Sequence, residues 1–206
     1  AMLKIKLLFI IAVAFVFSSV KSQQMNPEFE NINVEHGLSQ SIVYAVLRDH
    51  KGFLWIGTNY GINKYDGYNF EIFINNPHDP VSLSNNSVRD IIEDAQGHLW
   101  FGTFGGGVNI FNRTYNNFRR YQHNDTIHGS LSHDHVNVLY KDKNNVIWVG
   151  TRNGLNRFTG KPNRFIHFFY DSYDALTISH NDIQSIAEDR NGNLWIGTWM
   201  GLNRYN

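Results

Sequence analysis

The stretch Asp49-His50-Lys51-Gly52-Phe53-Leu54-Trp55-Ile56-Gly57-Thr58 decides the fold, because three further copies of its pattern follow in the chain. The copies occupy residues 94–103, 142–151 and 189–198 and align without a gap. Successive tryptophans of the set lie 45, 48 and 47 residues apart. A repeat of this length is typical of one four-stranded blade of a β-propeller. We therefore expect function to depend on the assembled array, since a single repeat has no core of its own.

Each copy combines a turn with the strand that follows it. Asp at the first turn position and Gly at the fourth favour a type I turn that ends in a left-handed residue, and Asn145 can replace that glycine in the third copy. In the strand, the tryptophan should fill the space against a neighbouring sheet, and the following glycine should allow close approach. We assign these structural roles to Asp49, Trp55, Gly57, Asp94, Trp100, Gly102, Asp142, Trp148, Gly150, Asp189, Trp195 and Gly197.

Two hairpins are predicted inside the repeats. In the first copy, Asp66-Gly67 indicates a two-residue turn into an outer strand that runs from Tyr68 to Ile74. In the second copy, the run Gly105-Gly106-Gly107 indicates a one-residue insertion into the hairpin between the second and third strands.

Composition also favours an all-β fold, because the 206 residues include 15 Phe, 10 Tyr and 5 Trp and few stretches with helical period. We predict a partial β-propeller of about four blades of four-stranded antiparallel sheet, with the last blade incomplete. An N-terminal segment, residues 23–37, carries a candidate ring-closing outer strand at residues 27–32. The blades are assigned to residues 38–82, 83–130, 131–177 and 178–206.

The first 22 residues are predicted to be a secretory signal peptide. Lys4 and Lys6 precede an apolar run from Leu7 to Phe17, and small residues follow. An uncleaved membrane anchor is the alternative, although the run is short for a spanning helix. Ala1 before Met2 is interpreted as a cloning remnant.

Charge and cysteine content exclude several classes of function. Removing residues 1–22 takes away three of the 18 basic residues and none of the 18 acidic ones, so 15 basic residues remain and the mature chain is mildly acidic. No basic stripe is left to bind nucleic acid. The absence of cysteine excludes disulfides, thiolate metal sites and cysteine nucleophiles.

The string Gly-x-Leu-Trp-Ile-Gly-Thr-x-x-Gly-Leu-Asn-Arg-Tyr at residues 192–205 resembles the repeat of two-component regulator propellers. These repeats form the N-terminal periplasmic sensor region of hybrid two-component system histidine kinases of the Bacteroidetes type. The opening Glu35-His36-Gly37-Leu38-Ser39 is similar to the start of such a sensor. The resemblance covers residues 28–206, essentially the whole mature chain.

The resemblance implies a sensor for signal transduction, with a glycan or oligosaccharide as ligand. It implies a periplasmic location, a full-length receptor anchored in the inner membrane, and a kinase that lies outside these 206 residues. The remaining propeller blades of the receptor would be partners, and the full-length receptor is expected to be a homodimer. We predict no catalytic residue, cofactor or metal site in this chain.

Four side chains in the variable turn after Gly-Thr are the candidate ligand-binding residues: Tyr60, Phe104, Arg152 and Trp199. Sugar rings stack on aromatic faces, and sugar hydroxyls suit polar and cationic groups. The alternative, that these side chains merely cover blade edges, stays open. The run His133-Asp134-His135 resembles a metal pair, but His133 falls where other copies have Gln40, Asn85 and His180, which favours a polar position between loop and strand.

Two other functions remain open at this point. One is a structural or protein-binding propeller. The other, less favoured, is an enzyme similar to quinoprotein dehydrogenases or propeller lyases, whose sites need acids, bases or metal ligands that occur once. The conspicuous residues of this chain instead recur in every copy, which favours a scaffold.

Overall fold

A computed structural model describes residues 28–161 and 164–206, so the predicted signal peptide at residues 1–22 lies outside the described residues. Ile32–Asn206 forms one compact unit. Residues 28–33 contain no strand. Asn33 caps a single 3-10 turn, Val34–His36, by accepting the Glu35 N–H at 2.8 Å. The ring-closing role of this segment stays a prediction.

Fifteen strands are present in the described residues, and they form four antiparallel sheets. The strands of the first two sheets are β1 (Val43–Arg48), β2 (Leu54–Thr58), β3 (Gly61–Tyr65), β4 (Phe70–Phe73), β5 (Val88–Glu93), β6 (Leu99–Thr103), β7 (Gly107–Asn112) and β8 (Asn117–Tyr121). The strands of the other two are β9 (Val136–Lys141), β10 (Ile147–Thr151), β11 (Gly154–Phe158), β12 (Phe165–Phe168), β13 (Ile183–Glu188), β14 (Leu194–Thr198) and β15 (Gly201–Tyr205).

Each sheet is a meander in which neighbouring strands are consecutive in the chain. The first three sheets have four strands and the fourth has three, β13 to β15. This strand order is that of propeller blades, so we call the sheets blades 1 to 4. The all-β prediction is confirmed.

The turn before each second strand has the predicted geometry. Asn145 has a φ of 62°, and the glycines at the same position in the other copies also have positive φ. In blade 1, the Asp49 carboxylate accepts the main-chain N–H groups of Lys51 and Phe53 at 3.0 and 2.9 Å. The aspartate therefore fixes the turn by bonding its own backbone.

One hairpin prediction is wrong and the other is confirmed. The loop between β3 and β4 has four residues, 66–69, and the outer strand begins at Phe70 rather than at Tyr68. The reason is that the Asp66 carboxylate accepts the N–H groups of both Tyr68 and Asn69, which keeps these residues in the turn. Between β6 and β7 the loop does carry one extra residue relative to the other copies.

The first strands of consecutive blades lie side by side, and the blades crowd where each glycine follows its tryptophan. A Cβ atom on Gly102 would lie 2.7 Å from Cγ1 of Val136 in the next blade. A Cβ on Gly57 would lie 2.9 Å from Val88 in the same way. Only glycine allows this approach without displacement of the neighbouring strand.

Each tryptophan of the first three blades packs against an aromatic ring at the end of the third strand of the next blade. The ring centroids are 5.1 Å apart for Trp55 and Phe111, and 5.0 Å for Trp100 and Phe158. Trp148 and Tyr205 are 5.3 Å apart. The cores of the molecule therefore lie between blades, as expected of an array whose units cannot fold alone.

Candidate functional site

Each blade has two different ends. At one end lies the aspartate turn that joins the first strand to the second. At the other end lie the start of the first strand and the turn that joins the second strand to the third. The candidate ligand-binding residues belong to this second end.

The aspartate end is closed by the same hydrogen bond in all four blades. The indole Nε1–H of each tryptophan donates to the aspartate six residues earlier, at 2.9 Å in blades 1 to 3 and 3.0 Å in blade 4. Burial raises the pKa of Asp94, but its hydrogen bonds with Trp100 and His98 outweigh burial and hold the pKa below its ordinary value. These carboxylates are structural groups with their bonding positions filled.

Arg113 joins blades 1 and 2 at the same end. Its guanidinium donates to Asp49 at 2.8 Å, to Glu93 at 3.0 Å and to the carbonyl oxygen of Gly97 at 3.1 Å. A cavity of about 760 Å³ adjoins this group. Because the guanidinium of Arg113 is already bonded on every side, it is not available to a ligand in this cavity.

A second repeated network lies inside each blade. In blade 3 the buried Asn156 accepts the Ser132 N–H at 2.9 Å and donates to the Ser132 hydroxyl at 2.8 Å, while that hydroxyl lies 3.0 Å from the Thr151 hydroxyl. Blades 1 and 4 repeat the arrangement. In blade 2 the extra hairpin residue redirects the Ser84 hydroxyl to the carbonyl oxygen of Gly106. The network holds the blade together and leaves no free group for a ligand.

The opposite end varies between blades. The second residue of each first strand lies in a β-bulge, and the residue after each Gly-Thr opens the next turn. Bulges commonly redirect side chains near binding sites. We call this end the rim, and its residues are Tyr44, Arg89, Asn137, Gln184, Asn59, Phe104, Arg152 and Trp199.

On the blade 1 side, the rim is ordered by hydrogen bonds. Asn59 donates from its amide to the Tyr44 hydroxyl at 2.9 Å and accepts from the Ser87 hydroxyl at 2.8 Å. Asn59, and not Tyr60, thus holds the position equivalent to Phe104, Arg152 and Trp199.

Tyr60 occupies the second position of its turn. Its N–H donates to the Thr58 hydroxyl at 2.9 Å, as the N–H of Met200 does to Thr198 at 3.2 Å. Tyr60 lies in the predicted turn after Gly-Thr, but one residue beyond the position that Phe104, Arg152 and Trp199 hold in their blades. Tyr60 does not line the cavity that the other three candidates share.

A stack of planar groups runs across the rim from blade 1 to blade 3. The Arg89 guanidinium lies 4.1 Å from the ring centroid of Tyr44 and 4.8 Å from that of Phe104. Phe104 also stacks on His135, with centroids 4.2 Å apart. The Phe104 ring thus has two planar neighbours, although 40% of the residue is exposed.

His133 lies at the end of the stack, with its ring 4.9 Å from that of His135. Its Nδ1 accepts the His135 N–H at 2.9 Å, and His180 accepts the Asp182 N–H at 3.0 Å in the equivalent turn. Burial lowers the pKa of His133, and the nearby charge of Arg152 acts in the same direction. The geometry fits a turn-capping position; within the described residues no group of three or more potential metal ligands comes together.

Three of the four predicted candidates line one cavity of about 550 Å³. Its walls are Phe104, Asn137, Arg152, His180, Asp182, Gln184 and Trp199. The indole of Trp199 is 71% exposed. Volumes of this size are usual for small-molecule sites.

Some polar side chains of this cavity are hydrogen-bonded to one another. Asp182 accepts the side-chain amides of Asn137 and Gln184 at 2.9 and 2.7 Å. Arg152 and Trp199 are anchored only through their main-chain N–H groups, which donate at 3.0 Å to the carbonyl oxygens of His135 and Asp182, just before the first strand of the same blade. Their side chains remain free to contact a ligand.

Sequence reasoning missed the bulge residues Tyr44, Arg89, Asn137 and Gln184. The available signal was that this position differs in every copy, although other positions of the first strand do so too. This variation could not be interpreted without the strand register. In a regular strand alternate residues face the neighbouring blade, and a bulge changes which residues do so.

Within the described residues, we find no helix with the length and apolar character needed to cross a membrane.

Comparison with family models finds four matches to the family described as two component regulator propeller, at residues 37–60, 82–105, 130–153 and 177–200. Each match spans the start of a blade and ends in the rim turn.

Curated and solved relatives are similar to the chain over different lengths. Histidine kinase P4 of Formosa agariphila is 43% identical over 75 residues, which are 36% of this chain and 6% of that protein. The extracellular domain of hybrid two component system BT4673 from B. thetaiotaomicron has a TM-score of 0.72 and 25% identity, over 89% of this chain and 24% of that one. That of BT3049 has a TM-score of 0.66 and 24% identity, over 86% and 30%. The chain thus spans less than a third of the length of these relatives.

Proposed function

Because the chain carries four repeats of the two-component regulator propeller family, we propose that it is part of the extracytoplasmic sensor of a hybrid two-component receptor. In this role the blades form a scaffold, and the rim contributes to recognition of a glycan or oligosaccharide. The bound state is passed to a histidine kinase elsewhere in the receptor. The chain itself is a binding module without catalytic residues.

The observation that carries this proposal is the contrast within the repeat. The Trp–Asp hydrogen bond and the bond from the Ser N–H to the Asn side chain recur in all four blades, while the rim positions differ in every blade. A purely structural propeller has no need of an exposed indole and an arginine without a carboxylate partner on one cavity. Saccharides are bound by aromatic faces and polar groups of this kind.

Binding can be tested by isothermal titration calorimetry of the purified chain against a panel of oligosaccharides. We expect one or more saccharides to bind, and the double variant Trp199→Ala/Arg152→Ala to lose most of the affinity. The matched control is Tyr115→Ala, which removes an exposed aromatic ring from the turn between β7 and β8, far from the rim. Unchanged affinity in a correctly folded double variant, or no saccharide binding at all, would contradict the proposal.

The receptor context is a separate part of the proposal. We propose that the protein lies in the periplasm, that further blades complete the array, and that the full-length receptor is an inner-membrane homodimer. The likeness to extracellular domains of hybrid two component systems supports this view. Sequencing the gene beyond the codon for Asn206 tests it, because further repeats, a membrane helix and kinase motifs are expected there. A different kind of domain in that position would contradict it.

A further inference from the structure

The charge of the rim points to a narrower class of ligand than glycans in general. Among the described residues, the guanidinium groups of Arg89 and Arg152 form no ion pair with a carboxylate and no side-chain hydrogen bond. Two other arginines of the array are used internally, while unpaired ones such as Arg119 and Arg190 do not line the cavity that contains Arg152. Arg113 binds two carboxylates, and Arg120 donates to the Ser82 carbonyl oxygen at 3.0 Å.

Arg89 is held in place without being neutralised. Its flat guanidinium lies between the Tyr44 and Phe104 rings, and its Nε is buried without a hydrogen-bond partner. Stacking between two rings fixes the orientation of the group at little conformational cost to a ligand. The guanidinium of Arg89 is therefore oriented by stacking, and its N–H groups remain available to bind an anion.

Arg152 lines the same cavity as Phe104 and Trp199. The acidic group of the cavity, Asp182, already accepts two side-chain amide hydrogens, which stabilise its charge in place. The rings of His133, His135 and His180 add no negative charge. The balance of the rim is therefore cationic, whereas the mature chain as a whole has more acidic than basic residues.

We propose that the rim binds an acidic saccharide, whose carboxylate or sulfate group is bound by Arg152, with Arg89 adding to the positive field. This inference rests on the proposed function and names the ligand class of the same site. The planar fork of arginine matches the two oxygens of a carboxylate or sulfate group. Trp199 lies on the same cavity and receives the sugar ring, since it is 71% exposed whereas Phe104 already stacks on His135.

The test compares matched saccharides that differ only in charge. One arm titrates the chain with oligogalacturonate and with its methyl ester, which removes the negative charge and keeps the sugar. A second arm uses a sulfated oligosaccharide and its desulfated form. We expect the charged member of at least one pair to bind at least about tenfold more tightly than the neutral one, as expected for a hydrogen-bonded charge pair. The arm that responds identifies the anion as carboxylate or sulfate.

Two variants decide whether the rim is responsible. Arg152→Gln should weaken binding of the charged member about tenfold or more and weaken binding of the neutral member by a much smaller factor. Arg190→Gln removes an exposed arginine at the aspartate end of blade 4 and should change neither. Circular dichroism checks that both variants fold.

The outcomes separate this inference from the proposed function. Equal binding of charged and neutral members, or an Arg152→Gln variant with unchanged affinity, overturns the acidic-saccharide inference and leaves a neutral glycan sensor standing. Failure of every saccharide to bind overturns both.

Discussion

The two ends of a blade are built from the same strands and yet have opposite characters. At the aspartate end, four blades show one geometry, in which each indole N–H donates to a carboxylate and the turn closes on itself. At the rim, the same repeat position carries an amide, a phenyl ring, a guanidinium and an indole. The residues that repeat in every blade complete their hydrogen bonds within the blade. The residues that vary between blades remain available to bind a ligand.

The largest expected effect comes from replacing a tryptophan at each end of a blade. Trp100 is 2% exposed and packs against Phe158 of the next blade, whereas Trp199 is 71% exposed. Trp100→Ala should lower the free energy of unfolding by about 3 to 5 kcal/mol, the usual range for deleting a large buried aromatic. Trp199→Ala should change it by less than about 0.5 kcal/mol. Urea denaturation followed by circular dichroism measures both, and equal losses would remove the distinction between the ends.

Crowding between blades gives the next test. Gly102→Ala places a methyl group 2.7 Å from the branched side chain of Val136, so we expect a loss of about 1 to 3 kcal/mol from overpacking. The same change at Gly197 meets only the rotatable Ser185 hydroxyl of its own blade and should cost less. If the two alanine variants show the same melting temperature, Gly102 is not required for the close approach of neighbouring blades.

The carboxylate of the repeated turn is tested by Asp94→Asn. The amide nitrogen of Asn would face the Trp100 indole N–H, and an unsatisfied donor of this kind costs about 1 to 3 kcal/mol. Asp66→Asn is the matched control, since one oxygen of Asp66 accepts both N–H groups and Asn retains that oxygen.

The effect of Asp94→Asn should also depend on pH. Because the folded state lowers the pKa of Asp94, its contribution is present above the ordinary value of 3.8 and is lost as the pH falls through the lower folded value. The stability difference between wild type and variant should therefore be constant near neutral pH and narrow in acid. A difference that grows as the pH falls would mean that the carboxylate does not act as an ionised acceptor.

The smallest expected effect on stability belongs to the rim. Arg152→Gln should change the free energy of unfolding by less than about 0.5 kcal/mol, because the guanidinium bonds to no described residue. Thermal unfolding of the variant without ligand measures this. A loss above about 1 kcal/mol would show that Arg152 is part of the scaffold, and the comparison between the ends would fail at this blade.

Much of the scaffold was predictable from the sequence, because the repeat pattern occurs in four copies. Asn145 at positive φ and the inserted residue before Gly107 follow from turn chemistry alone. The rim was predictable only in part. Tyr60 does lie in the turn after Gly-Thr, but only the structure shows that Asn59, the residue equivalent to Phe104, Arg152 and Trp199, bonds across to the next blade. The four-residue turn at Asp66 was missed because a single carboxylate oxygen bonds two N–H groups there.

By itself the sequence determined the blades, since a repeated pattern of Asp, Trp and Gly prescribes the same local turn and strand wherever it occurs. Only the tertiary structure decided what the rim could be. The sandwich of Arg89 between Tyr44 and Phe104 joins residues 45 and 15 positions apart, through two bulges and the packing of one blade on the next. Local sequence propensities cannot predict such a contact, because it depends on how separate blades pack against each other.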